Sequence, residues 1–300
     1  MDSPLSCWNE IFVSLWQGSF PGVFRENWKG MELRPKKSFG QNFLVQRSAI
    51  EGIVQAARLS KAPCLLEIGP GPGVLTEGLL ADGRPLWAVD LDPEAIEVLR
   101  ERFAQVSHFH LIHGDAVKVA LPEGGPWAIA GNLPYNAATP ILTRLLIQPI
   151  AWDRMVLMFQ LEVGQKLLGK PGEKAYGPLS VLAQLSSRIT RLMKLGPGAF
   201  RPAPKVDSVV LLFEPREGAL PHELRTPLLA LLHRSFAHRR KTLANNWQPA
   251  LEPASTAKIL EAFGLAPTVR AEAIPVEVWP RLLERILQDA PELLRQHAEP

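Results

Sequence analysis

Two groups of residues in this chain are suited to chemistry. The first, Leu65-Leu66-Glu67-Ile68-Gly69-Pro70-Gly71-Pro72-Gly73, is an apolar run that ends in an acid and alternating glycines. The second, Gly131-Asn132-Leu133-Pro134-Tyr135, follows another apolar run and sets an amide, a restricted backbone and an aromatic ring side by side. A glycine-rich turn after a strand lets backbone approach a ligand and aims a helix N-terminus at it. Gly69, Gly71 and Gly73 do not have the GxGxxG spacing of dinucleotide binders. Glu67 would repel a pyrophosphate but attract the sulfonium and ammonium of S-adenosylmethionine. The expected cofactor is therefore S-adenosylmethionine, with Glu67, Gly69 and Gly71 against it.

The second group fits a flat base that carries an amine. The exocyclic amine of adenine is a poor nucleophile because its lone pair is delocalised into the ring. Two hydrogen-bond acceptors can draw that nitrogen toward tetrahedral geometry. Asn132 offers its side-chain oxygen, and the carbonyl of Leu133 offers a second. Pro134 fixes its own φ and biases Leu133 toward extended backbone. Tyr135 can stack on the base, a contact worth about 1–3 kcal/mol. Alignment of donor methyl and nitrogen lowers the rest of the barrier. Taken alone, the segment also reads as a plain Asn-Pro turn.

These groups need a frame that brings them together. Apolar runs at 64–68, 86–89, 109–112 and 127–130 read as buried parallel strands. Helical spacing falls at 48–59, 74–82, 93–104 and 137–147, and further strands are expected at 155–159, 189–194 and 206–213. The alternation predicts an α/β fold with a doubly wound, mostly parallel sheet of seven strands. Asp90 ends the second strand and is expected to accept from ribose hydroxyls. Asp92 competes for that role but precedes Pro93-Glu94, so it reads as a helix cap. Asp115 ends the third strand, where it either accepts from an adenine amine or closes a turn. After a polar linker at 214–218 the chain reads as helices at 224–237, 239–248, 255–263 and 276–288, a smaller all-helical domain.

Composition narrows the setting. The 300 residues carry a net charge of only +3, and hydrophobic residues make up 46%. The apolar runs fall short of the roughly 18 residues a membrane span needs. The two cysteines, Cys7 and Cys64, cannot form a secreted-type disulfide framework, so a cytoplasmic protein is expected. Local charge is more informative than the total. Arg225 to Trp247 holds five Lys or Arg and no acid, with His238-Arg239-Arg240-Lys241 inside it, and Arg34, Lys36 and Lys37 form a second group. Such clusters suit a phosphate backbone, although each alone also fits a solvated face. Residues 1–30 are rich in Trp and Phe yet contain Asp2 and Glu10, and lack the pattern of a secretory signal or an Arg-rich transit peptide. They are expected to be a dispensable extension. The expected division is 1–30 extension, 31–215 catalytic domain, 216–290 helical RNA-binding domain and 291–300 tail.

The chain resembles the ribosomal RNA adenine dimethyltransferase family, whose bacterial members dimethylate two adjacent adenosines near the 3′ end of small-subunit rRNA. Beyond the two groups above, the resemblance rests on Lys37-Ser38-Phe39-Gly40-Gln41-Asn42-Phe43-Leu44, Tyr176-Gly177-Pro178-Leu179-Ser180-Val181-Leu182, the run 199–208 that opens Ala199-Phe200-Arg201-Pro202, Arg239-Arg240-Lys241-Thr242-Leu243 and Arg270-Ala271-Glu272. It implies a Rossmann-like methyltransferase sheet. It implies that Asn42 and Leu44 join Gly69, Asp90, Asp115 and Asn132 as cofactor contacts, and that Phe200 faces Tyr135 across the target base. It also implies that Arg239, Arg240 and Lys241 meet rRNA. Asp90 stands where the family usually has glutamate, so its reach is a methylene shorter and a bridging water becomes possible.

The expected activity is S-adenosylmethionine-dependent dimethylation of two small-subunit rRNA adenosines, by a monomer acting on an immature ribosomal subunit. No metal and no membrane is expected to take part. Three other readings compete: the large-subunit rRNA methyltransferase of the macrolide-resistance type, a non-catalytic RNA-binding assembly factor, and a DNA adenine methyltransferase. The Tyr176–Leu182 and Arg239–Leu243 segments fit the small-subunit group better than the first. The intact Asn132–Tyr135 motif argues against the second.

Overall fold

A computed structural model of the chain describes residues 35–36 and 40–295. The expectations for 1–30, Arg34, Lys37 and the end of the tail lie outside the described residues. Seven strands form one sheet: β2 (Cys64–Ile68), β3 (Leu86–Asp90), β4 (Phe109–His113), β5 (Trp127–Asn132), β6 (Trp152–Gln160), β7 (Arg188–Leu195) and β9 (Ser208–Glu214). Their order is β4-β3-β2-β5-β6-β9-β7. The first five are parallel, and β9 runs antiparallel between β6 and β7. From β2 the chain steps outward to β3 and β4, then returns to place β5 on the other side of β2. Connections therefore diverge between β2 and β5 and leave a crevice at the carboxyl ends of those strands.

The strand residues explain the layering. β2, β5 and β9 are buried almost throughout, as strands covered on both faces must be. The edge strand β7 instead exposes Arg188, Arg191 and Lys194, which discourages pairing with another chain. Helices α1 (Arg47–Arg58), α2 (Val74–Leu80), α3 (Pro93–Arg102) and α4 (Ala138–Ile147) connect or cover the strands close to where helical spacing places them. Two short helices, α5 (Leu161–Leu167) and α6 (Pro178–Ser186), and a second sheet pairing β1 (Phe43–Leu44) with β8 (Phe200–Arg201) have no counterpart in the periodicity.

The carboxyl-terminal part is helical: α7 (His222–Phe236), α8 (Leu243–Trp247), α9 (Pro253–Ala262) and α10 (Val278–Asp289). The apolar core continues from the sheet into these helices, through residues such as Leu142, Leu182, Leu231, Trp247 and Trp279. The expected helix 239–248 is shorter than its spacing suggests. Thr242 caps α8 by accepting from the Asn245 amide at 3.2 Å. Arg239, Arg240 and Lys241 accordingly occupy the preceding turn, not a helix face. Strand β9 likewise begins at Ser208, two residues later than expected, because Val206 is exposed.

Tyr176 ties the helical part to the sheet layer. Its ring is fully buried, its hydroxyl donates to the Ile274 carbonyl at 2.7 Å, and it accepts from Trp279 Nε1 at 3.2 Å. Phe236 packs its ring against both Tyr176 and Trp279. Tyr176→Phe would keep the packing and leave a carbonyl and an indole N–H unsatisfied. We expect a stability loss of about 1–3 kcal/mol by chemical denaturation. An unchanged midpoint would contradict this role for the hydroxyl.

Candidate active site

The crevice between β2 and β5 is lined by Gly40–Leu44, Glu67–Pro72, Val89–Asp92, Gly114–Ala116 and Asn132–Ala137. Asn42, Leu44, Glu67, Gly69, Gly71, Asp90, Asp115, Asn132, Leu133, Pro134 and Tyr135 thus share one pocket. The topology causes this, since the parallel register brings Ile68 beside Val89 and Glu67 beside Ala130 at the same edge.

The glycine loop folds tightly over the end of β2. Gly71 has φ +53°, in the left-handed region that favours glycine. Its amide donates to Asp90 Oδ2 at 2.9 Å, while the Asp92 amide donates to Asp90 Oδ1 at 2.9 Å. Asp90 therefore shapes the loop as well as facing the pocket. Burial raises its pKa, with partial relief from those two amides. Gly131 is required for a different reason. A Cβ there would sit 2.6 Å from the Ile68 carbonyl oxygen, so only glycine lets β5 approach β2 this closely.

Glu67 is buried at the pocket floor. Its Oε2 accepts from Thr76 Oγ1 at 2.7 Å, while Oε1 has no hydrogen-bond partner. Burial pushes its carboxyl up to about 8 from the ordinary 4.5; the Thr76 bond opposes this and the nearby Asp90 adds to it. Asp115 closes a turn by accepting from the Val117 amide at 2.8 Å and also lines the pocket, so both of its expected roles remain compatible. Asp92 is the cap of α3, accepting from the Glu94 amide at 3.1 Å.

The Asn132–Tyr135 segment is held from two directions. Asn132 Nδ2 donates to the Asn42 carbonyl at 2.9 Å. Only the amino end of an amide can donate to a carbonyl, so this bond fixes which way the side chain is turned. Among the described residues, no hydrogen bond reaches Asn132 Oδ1 or the Leu133 carbonyl. Tyr135 is half-buried, and its hydroxyl meets Ser208 Oγ at 2.6 Å. Burial raises the Tyr135 phenol, opposed by the Ser208 bond.

Two expected site residues have partners within the fold. Phe200 is fully buried and paired across the small sheet with Leu44, outside the pocket lining. Its place across the target base from Tyr135 therefore stays a proposal. Lys36 bonds to Asp92 Oδ1 at 2.7 Å and Glu94 Oε1 at 2.9 Å. Its ammonium links the segment before β1 to the start of α3. Gln41 Nε2 also reaches Asp92 Oδ2, at 2.9 Å. Burial works against ionisation of Asp92, but the bonds from Lys36, Gln41 and the Glu94 amide win and hold it below the usual carboxylate range. Sequence reasoning missed Gln41, Thr76 and Ser208 as supports. Thr76 carried a local signal, one turn into the helix after the loop; the other two act across the fold. In the basic turn, Arg239 pairs with Glu272 at 3.0 Å, while Arg240 and Lys241 are exposed.

Residues 32–288 match the model of the Ribosomal RNA adenine dimethylase family. A Ribosomal RNA small subunit methyltransferase A of Pseudomonas aeruginosa is 38% identical over 261 residues, which are 85% of this chain and 96% of that protein. A dimethyladenosine transferase from Plasmodium falciparum shares the fold with a TM-score of 0.70 at 22% identity, over 82% of this chain and 98% of the other. The 23S rRNA methyltransferase ErmE superposes with a TM-score of 0.63 at 25% identity, over 82% of this chain and 100% of its own.

The Glu67 carboxyl gives the ligand-free protein a defined pH response. Between pH 4.5 and about 8 the folded state holds a proton that the unfolded chain has released. Stability from this group therefore falls as pH rises through that window. Glu67→Gln keeps an acceptor for Thr76 and removes the titration. We expect the thermal midpoint of wild type, relative to Glu67→Gln, to drop progressively from pH 5 to pH 8.5. A difference that stays constant with pH would contradict the shifted carboxyl.

Proposed function

Because this chain belongs to the ribosomal RNA adenine dimethylase family, we propose that it dimethylates two adjacent adenosines near the 3′ end of small-subunit rRNA, with S-adenosylmethionine as methyl donor. The observation that carries the reading is the Asn132 amide, turned by the Asn42 carbonyl so that its oxygen remains available at the mouth of β5.

The donor set fits the cofactor. Glu67 Oε1 is buried without a partner, which disfavours an empty or anionic pocket and suits a ligand carrying an ammonium and a sulfonium. Glu67, Asp90 and Asp115 would hold it, with Asn42, Leu44, Gly69 and Gly71 against its body. When bound, it supplies an electrophilic methyl.

The remaining work falls to the chain. Asn132 Oδ1 and the Leu133 carbonyl accept the two N–H bonds of the adenine amine and turn its lone pair out of the ring plane. Neither acceptor takes a proton at neutral pH. The nitrogen therefore loses its proton to solvent water after the bond to carbon forms, when it is strongly acidic. At the second transfer a single N–H remains, and one acceptor suffices. Tyr135 stacks on the base, with its ring angle held by Ser208. A base in an unpaired loop reaches this pocket without the cost of extrusion from a duplex.

The 38% identity to a small-subunit methyltransferase over 85% of this chain favours the small subunit over the large. No helix among the described residues is long and apolar enough to cross a membrane. We place the reaction in the cytoplasm, on an immature small subunit and by a single copy of the chain, with Arg240 and Lys241 facing the RNA.

Asn132→Ala should abolish methyl transfer to small subunits purified from a strain that lacks the modification, while S-adenosylhomocysteine binding changes less than about tenfold by calorimetry. Retained turnover would refute the assigned role. Mass spectrometry of both rRNAs after the wild-type reaction separates the substrates, and methylation confined to large-subunit rRNA would overturn the choice made here.

A further inference from the structure

Arg144, in the last turn of α4, is half-buried, and each nitrogen of its guanidinium has a partner. Nε donates to Gln148 Oε1 at 2.8 Å. The other two partners lie in the turn that follows β4: Nη1 donates to the Ala116 carbonyl at 2.7 Å and Nη2 to the Val119 carbonyl at 2.5 Å. Asp115 opens that turn and lines the crevice, whereas Arg144 does not. We propose that Arg144 is the positioning residue for Asp115. Its forked grip sets the carboxylate to accept the amine of the cofactor's own adenine and so gives the pocket its preference for adenine. The inference rests on the cofactor reading above, in which Asp115 contacts S-adenosylmethionine, and extends it to a residue outside the pocket.

The turn is anchored at two ends. At its start, the Gly114 amide donates to the Asp90 carbonyl on β3 at 2.8 Å. At its far end, the carbonyls of Ala116 and Val119 are held by Arg144. Between these anchors the turn closes on Asp115. The Lys118 and Val119 amides donate to its carbonyl at 2.8 and 2.7 Å, and the Val117 amide donates to Oδ1 at 2.8 Å. Those bonds place Asp115 relative to the turn, and Arg144 places the turn relative to α4. Gly114 makes the closure possible, since a Cβ there would sit 2.9 Å from Val119 Cγ2. Among the described residues no hydrogen bond reaches Asp115 Oδ2, which leaves one acceptor free for a ligand's N–H. A cation in the last turn of a helix ordinarily serves that helix's own carbonyls and dipole. Arg144 instead directs two of its three nitrogens to another element. Burial works to lower its pKa and the Asp115 carboxylate opposes this, so the two charges lie within reach of each other. Only a planar fork can donate to two carbonyls in this way; a lysine ammonium is a point donor. The same helix begins next to the reaction segment, where the Ala137 amide donates to the Pro134 carbonyl at 2.9 Å. One element thus ties the proposed adenine acceptor of the cofactor pocket to the segment that would hold the target base.

The test is calorimetric binding of two ligands to the full chain: S-adenosylhomocysteine, and S-inosylhomocysteine, in which a ring carbonyl replaces the adenine amine. Wild type should prefer the first by roughly 10- to 150-fold, the worth of one hydrogen bond to a charged group. Arg144→Met should cut that preference at least about fivefold, by weakening S-adenosylhomocysteine while leaving S-inosylhomocysteine nearly unchanged. Arg144→Lys keeps the charge but cannot grip both carbonyls, so it should show the same loss, and it carries the test if the Met variant fails to fold. Asp115→Ala should remove the preference, and adding Arg144→Met to it should change the ratio no further. Arg154→Lys is the structural comparator. Arg154 likewise donates to a carbonyl, that of Ala56, and to Glu214, neither of which lines the crevice. That variant should lower the thermal midpoint without moving the ratio. Arg144 variants that keep the wild-type ratio, or that weaken both ligands equally, overturn the proposal. So does a further change of the ratio by Arg144→Met in the Asp115→Ala background. Failure of the underlying reading appears separately: a preference that survives Asp115→Ala shows that Asp115 does not meet the adenine amine, and the proposal falls with it.

Discussion

One hydrogen bond, from Asn132 Nδ2 to the Asn42 carbonyl, decides what this site can do. An asparagine amide presents an acceptor on one side and a donor on the other, and a freely rotating amide would offer an incoming amine either. The carbonyl removes that ambiguity. It comes from the segment just before β1, and that segment is held by its own anchors. Lys36 and Gln41 grip Asp92, and β1 pairs with β8. The proposed acceptor is therefore set by a strap that reaches across the pocket from outside the main sheet. Asp92 joins the two halves of the pocket, since the same carboxylate caps α3 beside the Asp90 turn.

The pocket combines a rigid amide with an electrostatic demand. Burying Glu67 with one oxygen unpartnered costs stability in the ionised form, and Thr76 offsets only part of that cost. A carboxyl in such a place favours a cationic ligand over a neutral or anionic one. The sheet topology supplies the location, and the glycines supply the room. With Gly131 pressed against the Ile68 carbonyl, β5 ends close enough to β2 for Asn132 to overlook the glycine loop.

The main sheet, its parallel strands and the pocket residues at the strand ends were legible in the sequence because each depends on local pattern, whereas Asn42 and Leu44 were expected only from the family resemblance. Apolar runs mark β2, β3, β4 and β5, and the acid or amide at each strand end faces the crevice wherever the strands lie parallel. What escaped depends on contacts distant along the chain. The β1–β8 pair is too short to show a period, and it sets Phe200 beside Leu44. The pairing of Lys36 with Asp92 and Glu94 could not be read from its position in the sequence. The basic turn reads as helix because its residues are good helix formers, but Thr242 caps the next helix and Asn246 staples the turn open.

The orientation of the Asn132 amide is the claim most directly open to measurement. A crystal or cryo-electron-microscopy structure of the protein with S-adenosylhomocysteine and an RNA fragment bearing the target adenosine would show it. We expect Nδ2 to remain on the Asn42 carbonyl and Oδ1 to lie within hydrogen-bonding distance of the adenine amine. An amine engaged by other groups, with the Asn132 oxygen turned away from it, would contradict the account.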